Sequence, residues 1–115
     1  MTRRVPLREI AHARAGAKGD ISNVSVWVYD PVHYPVVKAQ LTAERLAAAY
    51  PQLIRGQVAR YEVDHLHGLN FVMHDALEGG VNSSLNLDSH GKSWSFLVLA
   101  LDIELDDDAG NTVQN

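Results

Sequence analysis

The run Val24-Ser25-Val26-Trp27-Val28-Tyr29-Asp30 constrains the fold more than any other stretch. Val24, Val26 and Val28 alternate with Ser25, Trp27 and Tyr29, and the β-branched and aromatic content is that of a strand. One face is aliphatic and the other is amphipathic and aromatic. A strand that is apolar on both sides sits centrally in a sheet, or has helices on one side and a partner on the other. The chain must therefore build a sheet, and Trp27 and Tyr29 are the residues expected on the face that helices leave open.

The remaining pattern supplies the other strands and the helices. Val5 to Ala11 reads as a first strand, with Pro6 tolerable near its start or on an edge. The polar stretch His12 to Asn23 reads as a loop leading into the central strand, which Asp30-Pro31 ends. From Tyr34 to Tyr50 the residues Val36, Val37, Leu41, Leu46 and Ala49 trace a helical stripe, with Thr42 placed to cap a new helix. One long helix or two short ones kinked at Leu41-Thr42 fit equally well. Gln57 to Asp64 alternates as a third strand, with Ala59, Tyr61 and Val63 assigned to the core side. Leu66, Leu69, Phe71, Val72 and Leu77 suggest a second helix, stopped by Gly79-Gly80. Asn82 to Asp88 suggests a short fourth strand. Over Lys92 to Leu105 helical and strand periodicities coexist, and the reading is a helix near Ser93–Leu99 followed by a strand over Leu101–Leu105.

These elements make an α+β two-layer sandwich, with a four- to five-stranded sheet, helices on one face, and a ferredoxin-like arrangement as the leading candidate. At 115 residues the chain fits one domain over residues 1–105, with an acidic, polar tail over 106–115. Apolar residues at 46% and charged residues at 21% exclude a disordered chain. There is no cysteine, which excludes disulfides, thiolate metal sites and a cysteine nucleophile. A net charge of −4 with scattered lysines and arginines argues against a nucleic-acid binder. Phe96 to Leu101, the longest apolar run, is too short to span a bilayer, and no apolar segment follows the N-terminal arginines. The expected location is the cytoplasm.

The densest chemistry lies in the stretch from His12 to Asn23. Gly16 and Gly19 permit close backbone approach to a ligand, while Arg14 and Lys18 supply charge for a phosphate or carboxylate. It is neither a phosphate-binding loop of the Gly-x-x-x-x-Gly-Lys type nor a Gly-x-Gly-x-x-Gly fingerprint. A polar turn in which Asp20 and Asn23 bond their own backbone explains it equally well. His65-x-His67, or His67 with His74, matches no recognised ligand spacing, so no metal or other cofactor is expected. His12, His67, Asp20 or Glu62 could serve acid–base chemistry, but no pair demands it. Gly80-Val81-Asn82-Ser83-Ser84 is not a nucleophile elbow, so no catalytic residue is assigned.

The ordered series Leu7-Arg8-Glu9-Ile10-Ala11-His12-Ala13-Arg14, Gly16, Lys18-Gly19-Asp20, Asn23, Leu41-Thr42-Ala43-Glu44-Arg45, Arg60-Tyr61-Glu62, Leu69-Asn70-Phe71, Ala76-Leu77-Glu78-Gly79-Gly80, Ser84-Leu85, Asp88 and Gly91-Lys92 resembles the small C-terminal domain of the acyclic terpene utilisation protein A (AtuA-like) family. The resemblance spans roughly residues 5 to 105 and implies a ferredoxin-like domain. Relatives are linked to bacterial breakdown of acyclic terpenes and related branched acids handled as coenzyme A thioesters. The domain commonly follows a larger N-terminal domain in that family, which implies a separate large-domain partner or self-association here. Taken with the residues themselves, the candidate ligand-binding positions are His12, Arg14, Gly16, Lys18, Gly19, Asp20, Asn23, His67 and Asn70, for a small anionic ligand. The chain departs from the family pattern at Ala15 and Ala17, where a serine and an acid are usual, at Asp64-His65, where Pro-Asn is usual, and at Asn86, where an arginine is usual. Two functions follow as expectations: a non-catalytic binding or assembly subunit, or a small stand-alone hydratase, lyase or isomerase of an organic acid or acyl thioester.

Overall fold

In the computed structural model the described residues are 2–18, 21–76 and 94–106, with Lys18 described by its backbone. The elements run β1 (Thr2–Pro6), a 3-10 turn (Leu7–Glu9), β2 (Ala11–Lys18), β3 (Ile21–Val28), a 3-10 turn (Pro31–His33), α1 (Tyr34–Gln40), α2 (Ala43–Ala49), β4 (Val58–Val63), a 3-10 turn (Asp64–Leu66), β5 (Gly68–His74), α3 (Trp94–Leu99) and β6 (Asp102–Asp106). β2 to β5 form one four-stranded antiparallel sheet in the order β2-β3-β5-β4, and β1 pairs with β6 in a two-stranded sheet. β3 and β4 thus run parallel with β5 between them, joined by the α1–α2 crossover. This is the split β-α-β of a ferredoxin-like sheet, with β2 supplying the edge next to β3 from the N-terminal side.

The aliphatic side of β3 makes the core, as its alternation requires. Val24 and Val26 are fully buried, together with Leu69, Phe71 and Met73 of β5. Val37, Leu41 and Leu46 cover them from the α1–α2 segment, and Trp94 and Val98 from α3, which packs across β2 and β3. The α1–α2 break falls where the sequence places it: the Thr42 hydroxyl accepts from the Arg45 amide at 3.0 Å. The small sheet packs against α1, where both ends of the Gln40 amide bond the Glu104 backbone at 2.8 Å. Those bonds satisfy strand groups that β1 leaves unpaired.

Four expectations are corrected. The first strand is not Val5–Ala11: β1 ends at Pro6, the Leu7–Glu9 turn follows, and Ala11 opens β2. His12–Asn23 is not a loop but two arms of a hairpin, paired from Ala11↔Val28 to Lys18↔Ile21. The helix expected over Leu66 to Leu77 is replaced by β5, because Leu69, Phe71 and Met73 are buried at a period of two. In β4 the faces are reversed. Tyr61 is 56% exposed, whereas the Arg60 guanidinium turns to the helices and donates Nη1 to the carbonyls of Lys38 (2.6 Å) and Leu41 (3.0 Å). The helix–strand order over residues 93–105 is as expected, while the strand expected over Asn82–Asp88 lies outside the described residues. Among the described residues no helix is long and apolar enough to cross a membrane.

Candidate functional site

Among the described residues the helices lie on one side of the four-stranded sheet only, and register decides what its other side carries. Cross-strand partners share a face. Arg14, Ser25, Asn70 and Tyr61 therefore form one row across all four strands. His12, Trp27, Gly68 and Val63 form the next row on one side, and Gly16, Asn23, Val72 and Ala59 the next on the other. In the central row Asn70 Nδ2 donates to Ser25 Oγ at 2.7 Å, fixing the amide. Arg14 is exposed and makes no hydrogen bond or ion pair with the described residues.

The His12 row carries the aromatic part of the face. The His12 ring stacks on Tyr29 at 5.2 Å and 12° and lies against Trp27 at 5.3 Å. Trp27 in turn lies over Gly68, where a Cβ would come within 2.6 Å of Trp27 Cδ1 and 2.8 Å of the Val26 carbonyl oxygen. Glycine is required there by close approach. His12, Arg14, Trp27, Val28 and Leu66 border a shallow depression of about 440 Å³ at this end of the sheet.

The helix side of β4 holds a second polar cluster. Tyr34 Oη, on α1, lies 2.7 Å from Asp64 Oδ1 and 3.0 Å from the Gly68 carbonyl. Lys38 Nζ bonds Asp64 at 3.1 Å and pairs with Glu62 at 3.5 Å, while Arg60 reaches Glu62 at 2.9 Å. Burial, then the bond to Asp64, pushes the Tyr34 hydroxyl up to about 12. The hydroxyl and the Lys38 ammonium hold the Asp64 carboxyl below its ordinary value, and Asp64 raises Lys38. These groups answer one another and tie α1 to the sheet's edge strand.

The structure brings together five of the nine expected ligand positions on the open face: His12, Arg14, Gly16, Asn23 and Asn70. Lys18 pairs with Ile21 at the far end of the hairpin. Gly19 and Asp20 lie outside the described residues. His67 departs from the group. It sits in the turn before β5 with φ 54°, its ring edge-on to Tyr34 of α1 at 5.8 Å. Sequence reasoning missed Ser25, Tyr61, Leu66 and Gly68; the Ser25-Trp27-Tyr29 alternation carried the signal for the first. Among the described residues no three His, Asp or Glu side chains gather as a metal site would need.

A family model described as the AtuA ferredoxin-like domain matches residues 5–104, nearly the whole chain. The chain belongs to that family. No curated protein and no solved structure matches it. Membership in the AtuA ferredoxin-like domain family agrees with the sheet order and the one-sided helical layer. Five of the residues in the family-like series, His12, Arg14, Gly16, Asn23 and Asn70, share the open face although they come from three strands.

Proposed function

We propose that this chain is a non-catalytic recognition subunit that docks, through the open face of its four-stranded sheet, on the large-domain protein that accompanies AtuA-type small domains. The carrying observation is that His12, Arg14, Gly16, Asn23 and Asn70 share one face that the described helices leave open, with Tyr61 56% exposed and Ile21 37% exposed beside them. An exposed face built from aromatic rings, amides and one arginine has the residue types of a protein interface rather than those of a solvated surface. The reading places the subunit in bacterial, cytoplasmic catabolism of acyclic terpenes or related organic acids and acyl-CoA thioesters, as part of an oligomer. The test is co-expression with a large-domain family protein, followed by co-purification and light scattering. A stable complex lost on Tyr61→Glu is expected. A chain that stays monomeric, captures no large-domain protein and turns over an organic acid alone would overturn the reading.

A further inference from the structure

The aromatic end of the open face has a property that docking does not require. The positions that register places on this face include His12, Arg14 and His74 but no carboxylate, although the chain as a whole carries a net charge of −4. The acids next to the sheet turn elsewhere: Glu62 and Asp64 pair with Lys38 on the helix side. Among the described residues, the strand positions at this end of the face carry no carboxylate, and that end also carries the ring stack.

We propose that the depression bordered by His12, Arg14, Trp27 and Leu66 is a binding site for a purine nucleoside monophosphate. The base lies against the aromatic end of the face formed by Tyr29, His12 and Trp27, with Leu66 at the border of the same depression. Base–aromatic stacking needs only an exposed ring, and Tyr29, stacked on His12, is 65% exposed. Arg14 follows His12 by two residues on the same face of β2, a separation of about 7 Å along a strand. That spacing suits the distance from a base to its own 5′-phosphate. Its guanidinium has no partner among the described residues and is exposed, so the phosphate meets a free planar donor. This inference goes beyond the docking reading and does not depend on it.

The test uses the isolated chain and adenosine monophosphate. Trp94 is buried at 1% exposure, so quenching of tryptophan emission reports on Trp27, with calorimetry as the second readout. Saturable binding is expected with a Kd of about 1 mM or tighter. Adenosine and inorganic phosphate should each bind about tenfold or more weakly, since each makes one of the two contacts. Arg14→Gln should weaken the nucleotide about tenfold and leave adenosine unchanged, with an unaltered Tm because Arg14 holds nothing in the fold. Tyr29→Ala, at a 65% exposed position, should weaken nucleotide and adenosine alike. No saturable binding, equal binding of inorganic phosphate, or a nucleotide affinity indifferent to Arg14→Gln would each overturn the site. The docking reading is tested separately, by co-purification, and the failure of either leaves the other to its own experiment.

Discussion

Replacing Gly68 with alanine tests the geometry on which the open face depends. The added Cβ would lie 2.6 Å from Trp27 Cδ1, 2.8 Å from the Val26 carbonyl oxygen and 3.0 Å from Trp27 Nε1. The indole could swing away, but the carbonyl belongs to the neighbouring strand and cannot move without parting β3 from β5. Overpacking of this kind costs about 1–3 kcal/mol. Alanine offsets about 0.5–1 kcal/mol of that by restricting the unfolded chain. The net expectation is a loss of about 1–2 kcal/mol, a fall in Tm of roughly 4–8 °C for a domain of this size. Urea denaturation followed by circular dichroism should show a lower midpoint with an unchanged slope. In a Trp27→Ala background the same change should cost less, because only the carbonyl contact remains. Gly68→Ala as stable as the parent, or equally costly with and without Trp27, would refute the placement of the indole over Gly68.

Further outcomes follow from the polar cluster and the helix break. Arg60→Met keeps the side chain's apolar stem but removes its charged donors from the Lys38 and Leu41 carbonyls, and should cost about 2–3 kcal/mol in urea titration. Tyr34 holds its proton up to about 12 in the folded chain against about 10 unfolded, so the stability it contributes is complete below pH 10 and is lost as pH rises towards 12. Tyr34→Phe should flatten the stability profile across that alkaline window. Asp64 has the opposite sign: its folded value is depressed, so its contribution is present above the ordinary carboxylate range and lost as pH falls through the folded value. The acid limb of the same profile should therefore also become shallower in Tyr34→Phe, which removes the first of the groups that hold Asp64 down. Thr42→Ala should cost about 1 kcal/mol by uncapping α2, read as a shift of the thermal midpoint.

What was legible in the sequence followed from residues whose local pattern and tertiary role agree. Val24, Val26 and Val28 alternate in sequence and fill the core, and Thr42 caps the helix that its neighbours suggest. Trp27 and Tyr29 fell on the open face for the same reason. The failures have particular causes. Gly16 and the small alanines of β2 resemble a turn when read alone, and only pairing with β3 makes them a strand. Leu66, Leu69 and Val72 imitate a helical stripe, yet burial selects Leu69, Phe71 and Met73, and the left-handed His67 turns the chain straight into β5. By alternation Arg60 falls on the face opposite Ala59, Tyr61 and Val63, away from the expected core. Its long stem crosses the interface instead, and its guanidinium finds the carbonyls at the end of α1. Of the site, the positions of His12, Arg14, Asn23 and Asn70 were legible as a set, but their common face was not. It needed the β2-β3-β5-β4 strand order, which places residues up to 58 positions apart in neighbouring rows.

The central claim is that the open sheet face is the recognition surface. Side-chain oxidative footprinting of the chain, alone and mixed with a large-domain family protein, tests it most directly. Tyr61 and Tyr29 on the sheet side, and Val32 and Phe96 on the helix side, are all about half exposed or more and serve as paired reporters. The account predicts that Tyr61 and Tyr29 become protected in the mixture while Val32 and Phe96 keep their reactivity. Protection of Val32 and Phe96 with Tyr61 still fully reactive would contradict it.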